Sequence, residues 1–136
     1  FFHADDGIRA VERSRGLGDV YKRQIRDLTH VERVWMAKVV YHRYVGMKEK
    51  KQIEKSIINL LTEEQKASSF AVGLGLRFVY IFCGGYPKNL EKIKLKIKKN
   101  KLICKIKPEA KSLMDKEVER RLKNFANASN LNYEIV

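Results

Sequence analysis

Apolar residues return at helical spacing from Thr29 to Tyr44. Val31, Val34, Trp35 and Val39 recur at three- and four-residue steps, while Glu32, Arg33, Lys38 and Arg43 occupy the other faces. Gly46 supplies a stop. Beyond a lysine-rich stretch, Ile53, Ile57, Leu60 and Leu61 predict a further amphipathic helix. Thr62 then opens a strong helix start. Its hydroxyl can accept from the Gln65 amide while Gln65 reaches back, and Glu63 and Glu64 stand at the positive end of the helix dipole. This helix should run to Cys83 and end at Gly84-Gly85, with Pro87 just beyond. Its middle holds Ala67, Ser68, Ala71, Gly73 and Gly75. Glycine inside a helix costs about 1 kcal/mol relative to alanine, so these small residues predict close packing against a neighbouring helix.

After Pro87 the period changes from helical to alternating. Ile93, Leu95 and Ile97 interleave with Lys92, Lys94, Lys96 and Lys98, the signature of a half-buried strand. Lys99-Asn100 supplies a tight turn, because asparagine tolerates positive φ. Leu102, Cys104 and Ile106 form the inward row of the returning strand, and Asp115 caps a helix with Val118, Leu122 and Phe125 on its inner stripe. Leu131, Tyr133 and Ile135 alternate once more. The predicted unit is ββαβ, a small sheet covered on one face by one helix.

The first 24 residues read differently. Ser14 to Gln24, SRGLGDVYKRQ, are what a sequencing-library adapter gives on translation, and His3 to Ala10, HADDGIRA, are similar to a translated flow-cell primer. We expect residues 1–24 to be adapter-derived and exclude them from reasoning about the fold. The native sequence is then expected to begin near Ile25, inside a domain.

Charge sharpens the picture. The formal net charge is +13 over 136 residues, and the leader is nearly balanced, so the excess belongs to the remainder. Between Lys88 and Lys111 stand ten lysines and two glutamates. Such density suits polyanionic partners, and it also suits a merely solvated face. Cys83 and Cys104 lie among apolar neighbours without CxxC spacing, which favours two buried free thiols in a reducing compartment. The apolar stretch from Phe70 to Cys83 is interrupted by Arg77 and reads as too short to span a bilayer. We expect a cytoplasmic protein without a membrane partner.

Catalytic motifs are missing from the pattern: no P-loop, GxSxG or HExxH occurs, and no carboxylate pair is spaced for acid–base work. Gly73-Leu74-Gly75 lacks the third glycine of a dinucleotide fingerprint. His30 and His42 are twelve apart and lack neighbouring ligands, so they read as structural and no metal site is assigned. The lysine row remains. Alternation places Lys92, Lys94, Lys96 and Lys98 on the outer face of one strand, with Lys105 and Lys107 on its partner. These ammonium groups could track a phosphate polymer, or they could guard an exposed strand against edge-to-edge pairing. Few aromatics accompany them, which favours an inorganic polyanion over nucleic acid.

Three stretches together resemble the C-terminal half of the Ppx/GppA phosphatases, the exopolyphosphatases and guanosine pentaphosphate phosphohydrolases. His30-Val-Glu-Arg33 leading to Arg43-Tyr44-Val45-Gly46 is similar to the HxxR…RYxG run of the family's HD-like helical domain. Gly73-Leu-Gly-Leu-Arg77 through Cys83-Gly84-Gly85 resembles its ALRL…SGG helix, and Glu117-Val-Glu-Arg-Arg121-Leu122 its closing VERRL helix. The resemblance implies an α+β chain: a truncated HD-like helical remnant over residues 25–86, then the ββαβ module over 87–136. It also implies a parent enzyme that removes terminal phosphate from polyphosphate or pppGpp with Mg²⁺. The actin-like catalytic domains of that parent would lie N-terminal to everything here, so no catalytic residue and no cofactor is assigned to this chain. Its expected role is polyphosphate binding through Lys92, Lys94, Lys96, Lys98, Lys105 and Lys107, with Arg33 and Arg43 as further contacts. The alternatives are a small basic nucleic-acid-binding module and a structural dimerisation region. With helices missing, Val31, Val34, Trp35 and the Ile57 stripe should be partly uncovered, which favours aggregation or association into a homodimer.

Overall fold

The computed structural model describes residues 28–47 and 58–136. Expectations about residues 1–24, and about Ile53 and Ile57, lie outside the described residues. Helix α1 spans His30–Val45 and α2 spans Glu63–Cys83. A 3-10 turn, Pro87–Lys92, leads into strands β1, Ile93–Lys98, and β2, Lys101–Ile106. A second 3-10 turn, Pro108–Leu113, precedes α3, Lys116–Ala128, and β3, Asn132–Ile135. The class is α+β, and the last four regular elements follow the expected ββαβ order.

Local chemistry sets the boundaries. Both α1 and α2 open with a full capping box: Thr29 with Glu32, and Thr62 with Gln65. Each box satisfies an orphan amide at the helix start and another at the cap itself. Gly46 ends α1 at φ 74°, and Gly84 ends α2 in the left-handed region at φ 55°. Asp115 caps α3 by accepting from the Val118 amide at 2.8 Å. Lys99 and Asn100 turn the hairpin with φ of 46° and 61°, the double positive φ that a two-residue hairpin loop requires.

The sheet order is β1-β2-β3. β1 and β2 are antiparallel with Leu95 opposite Cys104 and Ile97 opposite Leu102, while β2 and β3 run parallel with Leu102 beside Tyr133. A parallel pair needs a crossover connection, and α3 is that crossover. One core joins sheet to helices: Phe78 and Phe82 from α2, Leu102, Cys104 and Ile106 from β2, and Val118, Leu122 and Ala126 from α3. Burying side chains such as Phe78, Phe82 and Leu122 stabilises the fold by about 2 kcal/mol each. The sheet is therefore covered by two helices, α2 and α3, rather than by the single helix its sequence pattern predicts.

That core is centred on β2, and it leaves β1 at the edge. Ile93 is half-buried, but Leu95 and Ile97 are 37% and 69% exposed. The expectation of an evenly half-buried β1 thus holds at its first residue only. Alternation records which side chains share a face; coverage depends on where the helices lie.

The two internal glycines of α2 face different neighbours. A Cβ on Gly73 would stand 2.6 Å from His42 Cβ and 2.7 Å from the Val39 carbonyl of α1. On Gly75 it would stand 3.0 Å from the Phe125 ring of α3. The predicted close packing is present, and it serves two contacts at once. Trp35 Nε1 donates to Ser68 Oγ at 2.9 Å, and Arg77 Nη1 donates to the Arg43 carbonyl at 2.9 Å. The near-constant sequence offset along this contact makes α1 and α2 parallel neighbours.

Of the stripe expected to be partly uncovered, Val31 and Trp35 are half-buried, whereas Val34 is buried. Exposed apolar side chains stand elsewhere, with Met36, Val40 and Tyr44 on α1 and Val72, Leu76 and Tyr80 on α2. At 21 residues α2 is long and apolar enough to cross a membrane by length and composition, contrary to the shorter apolar stretch read from the sequence. Here it is the central packing helix, with Ser69, Gly73, Leu74, Gly75, Phe78, Phe82 and Cys83 buried.

Candidate functional site

Two groups of cations stand out, on opposite sides of the fold. The first is the outer face of the sheet. Because Leu102, Cys104 and Ile106 point into the core, Lys101, Ile103 and Lys105 take the other face of β2. Register adds β1 to it: Lys94 lies opposite Lys105, Lys96 opposite Ile103, and Lys98 opposite Lys101. All five lysines are exposed. Side chains on such a face recur about every 7 Å along a strand and about 5 Å across to the next. Lys101 meets Glu134 of β3 at 3.4 Å. Lys94, Lys96, Lys98 and Lys105 make no ion pair with the described residues.

The structure thus brings together Lys94, Lys96, Lys98 and Lys105 of the expected set and adds Lys101. That lysine was hidden in the sequence by its place next to the turn, where alternation alone does not fix the register. Lys92 departs from expectation. It ends the first 3-10 turn instead of belonging to β1, and its ammonium donates to Asn89 Oδ1 at 3.0 Å. Lys107 lies just past β2, although its amide still donates to the Lys92 carbonyl at 2.9 Å, extending the ladder by one step.

Arg33 and Arg43 are not part of this face. Both sit on α1, which packs on α2 on the far side of the helical layer from the lysines. Arg33 is exposed. Arg43 is half-buried, with its guanidinium 4.9 Å from the Tyr80 ring centroid and 5.2 Å from that of Tyr44. Beside it Arg77 crosses from α2 and donates through Nη1 to the carbonyls of Arg43 and Tyr44, closing the end of α1. A Cβ on Gly46 would stand 3.5 Å from this guanidinium, an ordinary contact, so it is the φ of 74° rather than space that calls for glycine here. Burial lowers the Arg77 pKa, and the nearby charge of Arg121 lowers it further. Arg43, Tyr44, Arg77, Tyr80 and Ile81 line a hollow of about 210 Å³.

The histidines separate. His30 is exposed at the start of α1, whereas His42 is buried, edge-on to Tyr41 and Phe70 at centroid distances of 5.3 and 4.8 Å. Among the described residues no three His, Cys, Asp or Glu side chains gather at one point. Cys83 and Cys104 are both buried free thiols. Burial pushes the Cys104 thiol up to about 11.

The order of helices, the glycine-backed contacts and the Arg-capped end of α1 define a small basic α+β region. A family model described as "Exopolyphosphatase, C-terminal" matches residues 3–136, and the chain belongs to that family. No curated protein matches it.

Proposed function

We propose that this chain is a polyanion-binding accessory region of an exopolyphosphatase, contributing grip on polyphosphate and not hydrolysis. The observation that carries the reading is the outer sheet face: five exposed lysines, with Lys94 directly opposite Lys105 and no carboxylate compensating that pair. Like charges set across a strand pair destabilise it, so such an arrangement is better suited to holding an anion than to supporting the sheet. Family membership supports polyphosphate as that anion. Hydrolysis would fall to N-terminal catalytic domains of the same protein, using Mg²⁺, in a cytoplasmic setting. Nucleic acid is the weaker reading, because the rest of the lysine face is Ile103, Asn132 and Glu134, with no ring for base stacking.

Replacing Lys94, Lys96, Lys98 and Lys105 together by glutamine tests the reading. Affinity for long-chain polyphosphate, followed by fluorescence anisotropy, is expected to fall at least about tenfold, and its dependence on salt to flatten as released counterions are lost. Unchanged affinity in the glutamine variant overturns it. A preference for particular RNA sequences over polyphosphate would favour the nucleic-acid module instead.

A further inference from the structure

The junction of α1, α2 and α3 holds a second concentration of positive charge, built differently from the lysine face. Arg43 and Arg77 line one hollow, and Arg120 and Arg121 of α3 bear electrostatically on Arg77. Among the described residues, the carboxylate set against these guanidinium groups is Glu117. It is already shared, 2.5 Å from Arg120 Nη2 and bonded to Arg121 Nη2. The Nε donors of Arg77 and Arg121 are buried and find no acceptor among the described residues. The Arg43 side chain likewise makes no hydrogen bond or ion pair with them. The Tyr44 and Tyr80 rings hold its guanidinium by their faces, a contact that leaves the N–H fork able to bond elsewhere.

Buried donors in folded proteins are almost always satisfied, and an excess of partly buried positive charge is stabilised by an anion more than by any neutral acceptor. A water molecule takes about 30 Å³, so the hollow beside Arg43 has room for a small tetrahedral anion. We propose that this junction is an oxyanion site for a phosphate-type anion, with Arg43 and Arg77 as its direct ligands and Arg120 and Arg121 raising the local potential. The site is separate from the sheet lysines and does not depend on their role. Its ligand is one phosphate group rather than a chain. Orthophosphate and the end of a phosphorylated molecule would present the same chemistry to it.

The test uses the full chain with arginine Nε–Hε groups observed by NMR during titration with inorganic phosphate. Saturable shifts are expected at Arg43 and Arg77. Arg43→Gln is expected to weaken phosphate binding about tenfold, as loss of a charge-assisted contact does. Glu117→Gln, which removes the competing carboxylate, is expected to strengthen it roughly threefold. That gain cannot arise from damage to the fold. The four-lysine glutamine variant should bind inorganic phosphate like the native chain, and that result separates this site from the polyphosphate reading. Equal shifts for phenyl phosphate and inorganic phosphate would show that the free phosphate group suffices. The proposal is overturned if phosphate moves neither arginine, or if Arg43→Gln and Glu117→Gln both bind it with native affinity.

Discussion

At the scale of single residues, Gly73 carries the most consequence. Glycine at this place weakens the helix, and its lack of a side chain is what allows α1 to approach so closely. A methyl group there meets both His42 Cβ and the Val39 carbonyl at under 3 Å. Backbone cannot yield as a flexible side chain can. Gly73→Ala is therefore expected to destabilise the protein by about 2 kcal/mol in urea unfolding, as overpacking of a close contact does. Gly75→Ala should cost less, because its obstacle is the edge of the Phe125 ring at 3.0 Å and a ring can shift. That small residues mark close packing is legible in the sequence. Which glycine faces which helix is not, since two residues in a helix turn the backbone by about 200° and the neighbours come from distant parts of the chain.

At the scale of elements, helix limits are written locally. Thr62 caps α2 through its hydroxyl and Gln65 answers through its side chain, at 3.2 and 3.0 Å. Thr62→Ala removes one half of this box and is expected to lower stability by about 1 kcal/mol, read from the urea midpoint at an unchanged slope. Asp115 and the Lys99-Asn100 turn are legible for the same reason, as each depends on contacts within a few residues. The strands divide differently. The alternation in β1 and β2 identifies their faces correctly, yet Leu102 is buried while Ile97 opposite it is mostly exposed. Coverage of a strand is set by the helical layer, which no period in the strand records. Lys92 shows a related limit: its place in the alternation is regular, but Pro87 starts a 3-10 turn that runs through it.

At the scale of the whole molecule, the sheet and helices share one core with Cys104 at its centre, fully buried. Its titration therefore reports on global unfolding. The unfolded thiol ionises near pH 9.0, whereas burial holds the folded one to about 11. Below the lower value both states keep the proton and stability is undiminished. Between pH 9 and 11 the unfolded chain releases its proton first, so stability falls as pH rises, by roughly 2–3 kcal/mol across that window. Cys104→Ala should flatten this part of the stability–pH curve relative to the native protein. Cys83, also raised by burial, contributes in the same direction and remains in the variant.

The charge distribution is likewise a property of the whole. Lysines separated by the hairpin meet across a strand pair, and arginines from three helices meet at one junction. The amino-acid sequence alone determined the order of the described helices and strands, the helix caps, the alternating lysine row and the family resemblance, because all of these reside in local spacing and residue identity. Tertiary structure alone decided that α1 lies parallel on α2, that β1 stays half uncovered, and that Arg43 belongs with Arg77 and not with the lysines. The physical reason is that periodicity specifies which side of an element avoids water, while the partner that covers it is chosen by packing among segments far apart in the chain.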